Sequence, residues 1–192
     1  MEEKVDYANL YYPPGGILIW ILIFLELVTF GAALVGLVVS SRENPAEFHH
    51  SRMLLNTYYG TLNTLFLLTG GYFMAQAVQS AKKTLYRQAG KNTMFAIISG
   101  LLFILLKGFE YYEKIEHGLT LGYNTFFNFY WLLTGFHVIH VIVGLVILAF
   151  MYRSLTKPGA NPDILNIEAG AHFWHMVDLI WLLLFPTLYL IL

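Results

Sequence analysis

Residues Gly16 to Ser40 read GILIWILIFLELVTFGAALVGLVVS, a run in which Glu26 is the only charged side chain. About 20 mostly apolar residues are enough to cross the hydrocarbon of a bilayer as a helix, so this stretch predicts a transmembrane span. Four further stretches have the same character: Leu55 to Val78, Thr93 to Tyr112, Thr125 to Tyr152 and Glu168 to Leu192. Short polar connections separate them, and together they take up most of the chain. The expected fold is therefore all-α, a polytopic membrane protein with five transmembrane helices forming a single membrane domain over residues 1–192. No internal repeat or low-complexity segment interrupts it.

The composition agrees with that reading. The chain has 192 residues, of which 57% are hydrophobic and only 12% charged, about half the roughly 25% expected of a soluble domain. Its mean hydropathy is +0.60. A net charge of −1 leaves no basic field to attract nucleic acid, so nucleic-acid binding is excluded as a function. Cysteine is absent, which removes disulfides, thiolate metal sites, cysteine nucleophiles and iron–sulfur clusters. Near the start, Glu2, Glu3, Asp6, Pro13 and Pro14 do not make the basic head and small-residue cleavage site of a secretory signal. The N-terminus is expected to be retained.

Basic loops resist translocation. Lys4, Lys82, Lys83, Arg87, Lys91, Arg153 and Lys157 fall on one side of the five-span arrangement, against Arg42, Arg52, Lys107 and Lys114 on the other. This bias predicts a cytoplasmic N-terminus and a C-terminus outside. Tyr11, Tyr12, Tyr58, Tyr59, Tyr111, Tyr112, Tyr123, Tyr130 and Tyr152 lie near span ends, as interfacial anchors do.

Ionisable groups in hydrocarbon cost at least about 2.5 to 3.5 kcal/mol each, so every deep one needs a partner, a wet cavity or a protein interface. At about 1.5 Å per residue, Glu26 and Asp178 lie about 15 Å from the cytoplasmic ends of their helices, and His137 and His140 come to a similar depth. On the last helix Glu168, His172, His175 and Asp178 recur at helical spacing on one face. The preferred pairing sets His137 or His140 against Asp178 or Glu26, and His140, His175 and Asp178 are expected to form an internal lock. On the third span Lys107 and Glu110, one turn apart near the outer surface, suggest a snorkelling pair. Asn56, Gly60, Asn63, Leu67, Gly70 and Met74 make a face suited to close helix packing.

Three readings of these groups compete. Paired intramembrane His suits bis-His ligation in a b-type cytochrome, and a Glu/His stripe suits a carboxylate-bridged metal pair. A di-metal site wants Glu-x-x-His on two helices, whereas Glu168 precedes His172 by four and the fourth span adds no acid. The favoured reading is mutual satisfaction of acids and His between helices, with no metal held. A small transporter, the remaining class, needs repeats or broken helices, and only Gly70-Gly71 suggests a break.

The motifs resemble those of subunit III of the haem-copper oxidases, the family of cytochrome c oxidase and bacterial quinol oxidase. Glu168-Ala-Gly-Ala-His-Phe-Trp-His-Met-Val-Asp-Leu-Ile-Trp181 is similar to that family's terminal Glu-Ala-Ala-x-x-Tyr-Trp-His-Phe-Val-Asp-x-x-Trp run, without a gap. Thr134-Gly-Phe-His-Val-Ile-His-Val-Ile-Val-Gly144 resembles its Thr-Gly-x-His-x-x-His-Val-x-x-Gly, and Leu62-Asn-Thr64 and Glu110-Tyr111 match two shorter motifs. Glu26 stands where the family keeps a membrane-embedded carboxylate. Met74-Ala75-Gln76 departs from the family's frequent Trp-Ala-His, and Lys107 replaces a frequent Gln.

The resemblance implies an accessory subunit of aerobic respiration with no cofactor of its own, packed in a bacterial inner membrane against a catalytic subunit I that carries haem and copper, and beside subunit II. It further implies phospholipid binding and support of proton uptake, with Glu26 and Glu110 proton-related or facing lipid or a partner. His137, His140, Glu168, His172, His175 and Asp178 are expected to form a structural polar core. Seven-helix members carry two extra N-terminal helices bordering a lipid cleft, which five helices alone do not build. The accessory membrane protein of nitric oxide reductase, a five-helix relative, is the alternative within the family.

Overall fold

The structure, a computed structural model, describes residues 13–191 and is helical throughout, with no strand among the described residues. Six helices follow in order: α1 Ile17–Glu43, α2 Pro45–Met53, α3 Thr57–Lys82, α4 Tyr86–Glu116, α5 Thr125–Thr156 and α6 Ile164–Pro186. A π-helical turn, Thr187–Ile191, continues α6. Lys4, Tyr11, Tyr12, Glu2, Glu3 and Asp6, used above for orientation, anchoring and processing, lie outside the described residues.

Capping chemistry sets several of these ends. Asn56, Asn124 and Asp163 each use a side-chain oxygen to accept from the first turn, at Tyr58 N, Phe127 N and Leu165 N respectively, satisfying donors that a helix start leaves open. At the far end of α4, Gly118 takes φ +73° and Leu119 N donates to Lys114 O at 2.9 Å. A left-handed residue closing the last turn in this way favours glycine.

Four helices are both long and apolar enough to cross a membrane: α1, α4, α5 and α6 with its π turn. The helix in place of the second expected span, α3, has 26 residues and is about 39 Å long at the usual rise. Its length suffices, but Asn63, Gln76, Gln79, Ser80 and several threonines lower its hydropathy. The third span is also longer than expected, since α4 runs from Tyr86 to Glu116. A further difference is α2, read above only as a polar connection. Pro45 opens this helix where its missing N–H costs nothing. Glu47 Oε1 accepts from Thr125 N at 3.0 Å, and Asn124 Nδ2 donates to Ser51 Oγ at 2.7 Å. The helix is thereby pinned to the start of α5.

Small residues let the bundle close. Ser99 Oγ of α4 donates to the Phe66 carbonyl of α3. At the centre sits the fully buried indole of Trp174 on α6. A Cβ on Gly100 of α4 would come within 2.5 Å of it, and one on Gly144 of α5 within 3.1 Å; Gly70 of α3 would place one at 3.3 Å. Three helices thus each withhold a side chain to seat one ring. At the edge, α1 packs on α5 and α6 with only Phe30 and Leu37 buried, and exposes Leu18, Ile21, Phe24, Leu25, Val28 and Val35.

Candidate functional site

The deep polar residues do not gather into one centre; they divide into separate groups along the bundle. The most enclosed lies toward the end roofed by α2. Lys107 Nζ is 2.9 Å from Glu110 Oε2, with both side chains no more than 1% exposed. The same ammonium meets Tyr189 Oη at 2.8 Å and Tyr130 Oη at 3.3 Å. Both phenols donate to Glu110 Oε1, from 3.0 Å for Tyr130 and 2.5 Å for Tyr189. The rings of Tyr111, Tyr130, Trp181 and Tyr189 stand 4.9 to 5.4 Å from the ammonium, so its charge also faces aromatic π systems.

All three ammonium protons and both carboxylate oxygens are therefore engaged, which is the condition under which a buried ion pair is tolerated. Tyr189 reaches this group from the π turn that follows Pro186, at the position where proline and the wider turn re-aim the end of α6. Lys114 Nζ donates to Leu54 O at 2.8 Å and Arg52 to Leu190 O at 2.8 Å, closing the roof.

This geometry corrects three expectations. Lys107 does not snorkel, and Glu110 faces neither lipid nor the surface of the chain, because Tyr130 of α5, Trp181 of α6 and Tyr189 of the π turn enclose the pair. Tyr130, counted among interfacial anchors, is buried in the same network.

Toward the middle of the membrane, Glu26 of α1 faces His140 of α5, Oε2 to Nε2 at 3.3 Å, with both side chains partly exposed. The other ring nitrogen, Nδ1, lies 2.8 Å from Phe136 O and can only donate there. The contact is at ion-pair distance, and Glu26 Oε2 has no hydrogen-bond partner among the described residues.

His175 and Asp178 form a second, looser pair along α6, 3.7 Å apart, with the Asp178 carboxylate against Gly71 of α3. His140 is not part of it, so the expected three-residue lock resolves into two pairs on different seams. The fully buried His137 meets no acid. Neither of its ring nitrogens has a hydrogen-bond partner among the described residues, and its ring lies 5.3 Å from Trp181 and 5.7 Å from Phe103. Glu168 pairs with Lys82 of α3 at 2.6 Å, and His172 lies against Trp20 of α1, ring centres 5.3 Å apart.

Among the described residues no three His, Asp or Glu side chains converge as metal ligands would. Sequence reasoning missed Tyr130 and Tyr189 as partners of Lys107. The available signal was a Lys and a Glu one turn apart inside an apolar helix, with Tyr189 three residues after a proline.

Fold and groups together define a helical membrane protein with one fully buried ion pair and several acid–base contacts between or along its helices. Residues 51–191 match the family model for cytochrome c oxidase subunit III, and the chain belongs to that family. Curated relatives bear the same name. The "Probable cytochrome c oxidase subunit 3" of Mycobacterium leprae is 30% identical over 138 residues, 71% of this chain and 68% of that protein. The subunit 3 of Drosophila melanogaster is 32% identical over 129 residues and that of Mycosarcoma maydis 33% over 129, in each case 67% of this chain. In these two the match spans 48% and 46% of the relative, so the chain aligns with about half the length of such proteins.

Proposed function

We propose that this chain is a non-catalytic accessory subunit of a haem-copper terminal oxidase in a bacterial inner membrane. It packs on and stabilises a catalytic subunit that holds haem and copper, beside subunit II. The observation that carries this reading is the enclosure of the Lys107–Glu110 pair by tyrosines of α5 and the π turn, together with the Lys82–Glu168 pair between α3 and α6, which spends these charges inside the bundle. Membership of the subunit III family supplies the complex in which such a bundle has a task. In this reading α3 is the fifth span, and the Lys/Arg bias sets the N-terminus in the cytoplasm. Purification of the tagged chain in mild detergent is expected to bring down a haem-bearing, multi-helix subunit with oxidase activity. Recovery with only nitric oxide reductase components moves the assignment to that complex, and a haem Soret band from the isolated chain overturns it.

Glu26 is the residue we place in proton handling. It is the only acid on α1 within the apolar run, is expected near mid-membrane, is partly exposed, and faces His140 at 3.3 Å. Glu26→Gln keeps the shape of the side chain beside His140 but cannot take up or release a proton. Subunit content is expected to stay normal while proton uptake into the oxidase slows several-fold. Unchanged uptake in vesicles containing the variant would leave Glu26 with a packing role only.

A further inference from the structure

In the transmembrane reading, α4 and α5 turn only apolar side chains outward: every exposed side chain from Met94 to Phe109 on α4 and from Leu132 to Phe150 on α5 is apolar. On α1 the exposed Thr29 spends its hydroxyl on Leu25 O, and on α3 Thr61 and Thr69 spend theirs on Thr57 O and Leu65 O. The face shared by α3 and α6 keeps two polar side chains that are not used up in this way. The His175 side chain is 43% exposed and Tyr72 is 61% exposed. His175 lies about 16 Å into the 28-residue run of α6 and its π turn, and Tyr72 about 22 Å into α3, so the same reading puts both near mid-membrane.

Gly71 of α3 lies against both His175 and Asp178, which brings Tyr72 and Ala75 to the same depth as that pair. His175 Nδ1 is turned to Asp178 Oδ2 at 3.7 Å, leaving Nε2 for a partner. Lipid tails offer neither donor nor acceptor in this layer, and ionisable side chains at such depth ordinarily face protein or a wet cavity. Acyl chains would cover the exposed Leu68 and Leu179 nearby but would leave the imidazole and the phenol unpaired. A helix carrying a hydroxyl or an amide serves both, because either group donates and accepts. The exposed Ala75 beside them has little bulk to hold its backbone away.

We propose that the α3–α6 face around Tyr72 and His175 is the docking surface for one transmembrane helix of a neighbouring subunit, which presents a hydroxyl or amide side chain to them at mid-membrane. This rests on the accessory-subunit reading and names the part of this chain that meets its partner. The face does not involve Glu26 or the Lys107–Glu110 network.

The test is photo-crosslinking in native membranes, with benzoylphenylalanine in place of Leu179 or Ala75, purification of the complex through a tag on this chain, and peptide mass spectrometry of the adducts. Both positions are expected to join the same transmembrane segment of one partner, while the comparably exposed Leu102 of α4 and Val143 of α5 join lipid only. Adducts from Leu179 and Ala75 with lipid alone, or with a second copy of this chain, overturn the proposal. Capture of an oxidase subunit from Leu102 or Val143 instead overturns it too, and leaves the oxidase reading intact. A crosslinked segment from a complex without oxidase activity has the opposite meaning: the docking face stands and the oxidase reading falls. Tyr72→Phe and His175→Leu should each speed release of the partner into mild detergent about threefold, and about tenfold together. Tyr72→Phe keeps its ring against Phe73, so its effect is read without loss of fold. Release at the unaltered rate in the double variant overturns the proposal.

Discussion

Lys107→Met is expected to destabilise the bundle by about 3 to 5 kcal/mol, the usual cost of removing one member of a buried ion pair. The loss is larger than the fraction of a kcal/mol typical of a single interhelical hydrogen bond in a membrane, because the variant leaves more than a missing bond. Glu110 would remain completely buried with a charge and no cation. Tyr130 and Tyr189 still donate to Oε1, but Oε2 loses its partner. Replacing both members, Lys107→Met with Glu110→Met, removes the orphaned charge and should lie closer to the unaltered protein than either single change. Unfolding titrations of the four proteins in mixed micelles measure this coupling. Single losses below about 1 kcal/mol would mean that water reaches the network.

Trp174→Ala is expected to cost a similar amount, about 3 to 5 kcal/mol, for an unrelated reason. Helices in lipid associate through packing and not through exclusion of water, so van der Waals attraction removed at a seam has nothing to offset it. The cost of a cavity depends on how well its walls collapse. Around Trp174 the walls include Gly70, Gly100 and Gly144, which have no side chains to move inward. The indole N–H has no hydrogen-bond partner among the described residues, so nearly all of the effect is shape. Trp174→Phe should recover part of the loss. An alanine variant unfolding within about 1 kcal/mol of the unaltered chain would show that the helices close over the gap.

Depth is legible in the sequence and azimuth is not. Counting residues from the span ends brings Glu26, His137, His140 and Asp178 to comparable heights, and four cross-helix pairings are compatible with that. The structure selects Glu26 with His140, because α1 lies against α5 on the side that His140 faces. His137, three residues earlier, turns inward to Trp181. Such rotation depends on which helices become neighbours. Lys107 departs from its expected place for a related reason. Its nearness to a span end suggests a short path to water, but Tyr130 of α5 and Tyr189 of the π turn close over it, and an apolar run does not show which helix will bring such rings to α4. The small-residue face of α3 is readable as a packing surface. That its Gly70 meets an indole from α6 depends on the order of the helices in space.

The sparse burial of α1 bears on how the molecule is put together. Its uniform apolarity lets it enter the bilayer without help from the other helices, while its attachment rests on a narrow seam containing Phe30, Leu37 and the Glu26–His140 contact. Insertion and docking are therefore separable events for this helix, whereas α3 to α6 interlock around Trp174 and the buried ion pair. Under rising denaturant the chain should come apart in two stages, with α1 leaving its neighbours first and lipid taking its place.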